Sequence, residues 1–185
     1  IMLDTRYFRS DLARFPYSEE RRPKGQYGRN TDAGVTMLGK AQWAWLQDEL
    51  EKPADVRLVV SSVQALTEAH DFESWENFPD ERARLLNLLE ATGGANTILL
   101  TGDRHQGGLY RMKTSVGDEM WEITSSSLNF NFGSGDKGAD EPDLYRVGGL
   151  WADPNFGEIL IDWERGTVDL VLKRTDGQVL ERATV

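Results

Sequence analysis

The segment Gly102-Asp103-Arg104-His105 carries the strongest chemical signal in the chain. It follows an apolar run, Asn96 to Thr101 (NTILLT), of the kind that forms a buried strand. Its carboxylate and imidazole would therefore emerge just beyond a sheet edge, where α/β folds place their ligand crevices. Asp103 and His105 are two positions apart, so in a continuing extended segment both side chains would project to one side and share a cation. A carboxylate with an imidazole suits a hard or borderline ion such as Ca²⁺, Mn²⁺, Fe or Zn²⁺, which would polarise a phosphoryl oxygen or lower the pKa of a bound water. The competing reading makes Asp103 a turn cap and His105 a loop histidine satisfied by its neighbours. A second segment, His70 to Trp75 (HDFESW), follows another strand-like run and would emerge near the same sheet end. Its acids would then be metal ligands or, with His70 and Glu73, outer partners of the site, or else the segment is a solvated loop whose Trp75 folds onto the core. Arg6 and Arg9 follow the first apolar triplet and would either clamp an anion bidentately or pair with surface acids.

Composition bounds what these residues can do. The chain has 185 residues, enough for one domain with a sizeable core, and we read 1–185 as one domain. Lys and Arg number 21 against 31 Asp and Glu, so the formal charge of −10 repels phosphate backbones and anionic membrane surfaces. Nucleic-acid binding is a poor assignment on that ground. The absence of Cys excludes disulfide scaffolds, thiolate zinc sites and cysteine nucleophiles. With only two His, His70 and His105, a metal site built mainly of imidazoles cannot come from this chain alone. No Gly-x-Gly-x-x-Gly, Gly-x-x-x-x-Gly-Lys-Ser/Thr or Gly-x-Ser-x-Gly motif is present, so nucleotide-cradle and serine-hydrolase chemistries lack their signatures. The longest apolar runs fall far short of the roughly 20 residues a membrane span needs, and nothing reads as a targeting segment. The chain opens Ile-Met-Leu-Asp, without an initiator Met, as a processed product or a piece of something longer would.

The elements that must position these residues are legible from spacing. Ile1 to Thr5 reads as a short buried strand, and Arg9 to Asn30 as a long surface loop without period. Trp43, Leu46 and Leu50 recur at helical spacing from about Gly39, and Pro53 ends that helix. Val56 to Val63 (VRLVVSSV) is a buried-strand run. Gln64 to Pro79 reads as a loop, and a second helix begins at Pro79-Asp80, buries Leu85, Leu86 and Leu89, and stops at Gly93-Gly94. Helices between buried strands predict crossover connections in a largely parallel or mixed sheet. Leu109 to Lys113 and Met120 to Ser125 read as strands, Ser126 to Gly149 as a Gly- and Asp-rich loop. Glu158 to Trp163, Thr167 to Lys173 and Val179 to Thr184 read as a terminal meander turning at Glu164-Arg165-Gly166 and Thr175-Asp176-Gly177. Most of the six Trp are best placed in the core, since Trp43 lies on a helical stripe and Trp121 and Trp163 lie in strand-like runs.

Several of these segments, taken in order, resemble the alkaline phosphatase D family, the PhoD-like metallophosphatases. They are Leu3-Asp4-Thr5-Arg6-Tyr7-Phe8-Arg9, Met37 to Leu46 (MLGKAQWAWL), Val60-Ser61-Ser62, Glu73 to Pro79 (ESWENFP) with Glu81-Arg82, Leu100 to His105 (LTGDRH), Glu122 to Ser127 (EITSSS) and Asn155-Phe156-Gly157. The resemblance implies an α/β metallophosphoesterase-like fold: mixed sheets flanked by helices, about half of a four-layer α-β-β-α arrangement, with a C-terminal antiparallel meander. It implies hydrolysis of phosphomonoesters or phosphodiesters of small molecules with a di- or trivalent metal ion, Ca, Fe, Mn or Zn. Asp103 and His105 match the family's late Gly-Asp-x-His metal motif and would be catalytic through that metal. Arg6 and Glu73 match recurrent positions, as an anion contact and an outer partner; His70 lies beside the latter. Members of the family are much longer, and their first half carries Gly-Asp-x-x-Tyr and Asp-Asp-His-Asp-like segments that supply the other ligands. Those segments are not in this sequence. The resemblance therefore casts the chain as the C-terminal portion of such an enzyme, partnered by an N-terminal half and exposing the sheet edge and face that this half would cover. A periplasmic or secreted setting follows from the family and suits the acidic balance. Two alternatives from other classes are a catalytically silent structural or interaction module lacking the remaining ligands, and a carbohydrate-binding β-rich module using exposed Trp.

Overall fold

A computed structural model of the chain describes residues 1–16, 18 and 25–185. Among the described residues two α-helices and eight strands follow one another as α1 (Gly39–Leu50), β1 (Arg57–Val60), α2 (Pro79–Ala91), β2 (Thr97–Thr101), β3 (Gly107–Lys113), β4 (Glu119–Ser125), β5 (Arg146–Trp151), β6 (Asn155–Asp162), β7 (Thr167–Arg174) and β8 (Val179–Thr184). The first five strands form a mixed sheet in the order β1-β2-β4-β3-β5, and the last three an antiparallel meander. β1 and β2 run parallel, as do β2 and β4, whereas β3 is antiparallel to both of its neighbours.

The alternation of side chains along the strands builds three layers. On one face Val59, Leu99, Tyr110 and Met120 meet Trp43, Leu46 and Leu50 of α1 and Leu85, Leu86 and Leu89 of α2. On the other face Ile98, Leu109, Trp121 and Ile123 meet Val168 and Leu170 of the meander, with Leu58 and Leu100 packed at the margin. Leu58 and Val59, or Ile98 and Leu99, are sequence neighbours on opposite faces, as period-2 geometry requires. This is a mixed α/β fold with helices on one side of the sheet and a second sheet on the other. The helices are tied to β1 by Arg57, whose guanidinium donates to Thr92 O at the end of α2 (2.9 Å) and to Leu50 O and Lys52 O at the end of α1 (2.9 and 2.8 Å). It thereby serves carbonyls that lack helical partners.

The structure departs from the sequence reading in several places. Ile1 to Thr5 makes only an isolated parallel bridge between Met2 and Val60, with Leu3 N donating to Val60 O and Val60 N to Ile1 O. Residues 146–151 form β5 inside the segment read as loop. Gly148 and Gly149 interrupt the apolar alternation there, Gly148 sits at φ +78°, and the pairing with β3 shifts register between Gly107 and Leu109. Of the predicted loop from Arg9 to Asn30, residues 17 and 19–24 lie outside the described residues. The remainder is pinned by bridges from Arg14 to Tyr27 and from Gly25 to Asp71. Trp43, Trp75 and Trp121 are buried, while Trp45 and Trp163 are exposed. Among the described residues no helix is long and apolar enough to cross a membrane.

Candidate functional site

The parallel strands β1, β2 and β4 deliver their C-terminal ends to one edge. β2 must hand the chain to β3, which lies on the far side of β4 and runs the opposite way, a step of roughly 10 Å across two strand spacings. Residues 102–106 make that crossing. The predicted extended continuation is therefore replaced by a bend in which Asp103 (φ 70°) and His105 (φ 53°) both adopt left-handed backbone. These two are the non-glycine residues with positive φ among those described. Each such residue costs about 1 kcal/mol, a strain that clusters at functional sites.

Asp103, Arg6, Glu73 and Arg9 meet at this edge. Arg6 Nη2 donates to Asp103 Oδ1 at 3.0 Å, and its Nη1 donates to Glu73 Oε2. The same Glu73 oxygen accepts from Arg9 Nη1 at 2.7 Å. Arg6 is aimed by a turn: Asp4 Oδ1 accepts the backbone N–H groups of Tyr7 and Arg6, both at 2.9 Å, and these bonds hold the Asp4 carboxyl below its ordinary range. The Arg6 side chain remains 45% exposed and Asp103 36%, so the pair faces solvent and can exchange partners.

His105 joins the same turn from the other side. Its Nδ1 lies 3.2 Å from Phe130 O, and a carbonyl only accepts, so Nδ1 is the donor there and in the neutral ring the lone pair falls on Nε2. That is the arrangement by which proteins orient a metal-binding imidazole. The rings of Phe130 and Phe132 each stand edge-on to the imidazole at 4.9 Å. By donor type, a carboxylate and an imidazole nitrogen would suit a borderline cation. Asp103 and His105 are a partial set, because among the described residues no group of three or more His, Asp or Glu could hold an ion.

His70 is placed elsewhere. It is buried, Phe72 N donates to its Nδ1 at 3.1 Å, and its Nε2 then donates to Gln64 Oε1 at 3.0 Å. Burial, with the nearby Arg104 charge, drives its pKa well below the ordinary value and keeps it neutral. It thus holds the loop that carries Glu73 while Glu73 itself reaches Arg6. Arg104 turns inward between Asp103 and His105, stacking over the Phe72 ring at 4.7 Å and bonding Glu141 at 2.6 Å.

Behind the strand ends lies a buried polar network that the sequence did not advertise. Glu122 of β4 is fully buried; its Oε2 accepts from Ala65 N (3.1 Å) and Leu66 N (2.7 Å) and its Oε1 from Thr101 Oγ1 (2.7 Å). Gln64 links this network to His70 by donating to Thr124 Oγ1 at 2.8 Å. The available signal was one acid inside an otherwise apolar strand run, Met120 to Ile123. Beside the site a cavity of about 450 Å³ opens between the strand ends and β6, with Leu100, Ile123, Phe156 and Ile159 in its wall and Ser61, Ser62 and Gly102 on its margin.

The mixed sheet, covered by helices on one face and by an antiparallel sheet on the other, thus gathers an acidic residue, a histidine and arginines at the ends of its parallel strands. The sequence model of the PhoD-like phosphatase family matches residues 1–174, and the chain belongs to that family. It is 25% identical over 159 residues to alkaline phosphatase D of Bacillus subtilis (strain 168), in a match that takes in 78% of this chain and 26% of that protein. A solved structure described as that of PhoD superposes with a TM-score of 0.69 at 19% identity, across 100% of this chain and 38% of the other. The chain thus spans about a quarter of the curated relative's length and well under half of the solved structure.

Proposed function

We propose that this chain supplies the late part of a metal-assisted phosphoester hydrolase site, with Asp103 and His105 as ligands, Arg6 as the phosphate clamp, and Glu73 and Arg9 as the residues that hold the clamp. A di- or trivalent ion bound there would supply Lewis-acid activation of water and of a phosphoryl oxygen. His105 would bind through Nε2 while the Phe130 carbonyl fixes its ring. Asp103 would bind through its carboxylate, relinquishing its bond to Arg6, whose freed Nη2 would then donate to a phosphoryl oxygen. Arg9 would stay on Glu73 and keep the clamp from swinging away. The remaining ligands, on this reading, come from the earlier segments of the family fold, so that 1–185 is one portion of the catalytic unit. The acidic balance supports a periplasmic or secreted setting.

The observation that carries this reading is the pairing of Asp103 with Arg6 beside a histidine whose Nε2 is left as a lone pair. Its test is hydrolysis of an aryl phosphate and an aryl phosphodiester, with added Ca²⁺, Mn²⁺ or Fe, by the protein carrying the family's earlier segments and by its Asp103→Ala variant. A loss of at least about a hundredfold is expected, the scale of losing a transition-state electrostatic partner. Unchanged turnover would remove Asp103 from the mechanism. The absence of a three-donor group among the described residues favours a second reading for the isolated 185-residue chain, that it is catalytically silent. Stoichiometric metal in the purified chain, by elemental analysis, would exclude it.

A further inference from the structure

We propose that the Phe130–Phe132 ridge receives the alcohol half of the ester and selects flat, apolar alcohols, so that aryl phosphoesters are the substrate class; this rests on the phosphoesterase reading. Phe130 and Phe132 are 54% and 66% exposed, stand edge-on to one another at 5.2 Å, and both abut the imidazole of His105. Large rings left in water beside polar chemistry mark a binding surface.

The ridge is held in place rather than hanging free. The Phe130 carbonyl accepts from His105 Nδ1, and Asn131 Nδ2 donates to Ala152 O at 3.0 Å. Further along, Gly135 N donates to Asp153 Oδ2 at 2.8 Å. A platform fixed in this way binds without first being ordered. His105 thus has the aromatic ridge on one side and, two residues back, Asp103 on the Arg6 clamp. An ester anchored by its phosphoryl oxygens at Arg6 would direct its ring, attached directly to the bridging oxygen, toward the side chains flanking His105.

The test is a pair of non-hydrolysable probes, phenylphosphonate and methylphosphonate, titrated with and without Ca²⁺ into the protein carrying the family's earlier segments and followed by NMR. Phenylphosphonate should bind about tenfold more tightly, the scale of one aromatic face packed on two rings. Phe130→Ser with Phe132→Ser should reduce that ratio to about one while leaving methylphosphonate affinity unchanged, and Arg6→Gln should weaken both probes alike. The substituted rings are exposed, so an unchanged thermal midpoint will show that the fold survives. A phenyl preference that persists in the double variant overturns the ridge proposal and leaves the clamp standing. Binding of neither probe, or binding indifferent to Arg6, overturns the phosphoesterase reading and the ridge with it. Retention on phosphatidylcholine vesicles that needs both Phe, without any phenyl preference, reassigns the ridge to lipid and likewise overturns it.

Discussion

Glu122 separates a buried group needed for its charge from one needed for its oxygens. Its carboxylate accepts from Ala65 N, Leu66 N and Thr101 Oγ1, with Thr124 Oγ1 at 3.3 Å. Burial, the largest influence, raises its pKa, while the bonds from Thr101, Leu66, Ala65 and Thr124 oppose it without prevailing. An acid whose folded pKa is raised takes up its proton more readily in the folded state. Its contribution to stability is therefore complete below the unfolded value of about 4.3 and is lost as pH rises through the folded value. Glu122→Ala would orphan two buried amides, since the Thr101 and Thr124 hydroxyls lie 2.8 Å apart and can satisfy each other. At roughly 1–3 kcal/mol per orphan the expected cost is about 4 kcal/mol. Glu122→Gln keeps an oxygen for both amides and turns its NH₂ toward hydroxyls able to accept, so it should be within about 1 kcal/mol of the parent at pH 5 and equal or more stable at pH 8. Urea unfolding of the parent and both variants at these two pH values reads this directly. If Glu122→Gln at pH 8 loses as much as Glu122→Ala, the charge itself is the stabilising feature and the argument from burial is wrong.

Three further expectations follow from the same contacts. Asp103→Gly relieves a left-handed backbone at φ 70° and gives up one exposed ion pair, so unfolding free energy should stay level or rise by up to about 1 kcal/mol while metal-supported hydrolysis is lost; calorimetry beside an activity assay would expose any fall in stability. His70, held neutral by burial, takes up its proton in the folded state only well below the pH at which the unfolded chain does; the parent should therefore lose stability as pH falls below about 6.5, by up to roughly 1.4 kcal/mol per pH unit, and His70→Gln should flatten that slope in urea titrations. Gly107→Ala would place a methyl 2.7 Å from Leu172 Cδ2 and 2.8 Å from Asn155 Oδ1, where the two sheets approach; a loss of about 1–3 kcal/mol in thermal unfolding is expected, and an unchanged midpoint would mean that the sheets separate freely.

The parts of the fold legible in the sequence are those whose partners repeat at short range. Trp43, Leu46 and Leu50 announce α1 because one helical face meets one core, and Pro79 with two acids announces the start of α2. The hairpins of the meander are announced by turn residues between alternating runs. β5 escaped because Gly148 and Gly149 erase the alternation at the point where the ladder shifts register. The candidate site divides along the same line. Asp103 and His105 are candidates by type and spacing that the family resemblance singles out, yet the left-handed turn that presents them is dictated by strand order: β3 pairs beyond β4, and no local preference in Gly-Asp-Arg-His encodes that. Arg6 meets Glu73 and Asp103 across separations of 67 and 97 residues, and Glu122 meets Ala65 and Leu66 across nearly 60. His70 shows the converse. Its type suggested chemistry, but a backbone amide on one ring nitrogen and a side-chain amide on the other leave it no lone pair to offer. What a histidine does in this chain is decided by what occupies its second nitrogen: at His105 a carbonyl frees Nε2 for a ligand, and at His70 a peptide N–H uses up the only acceptor the ring has.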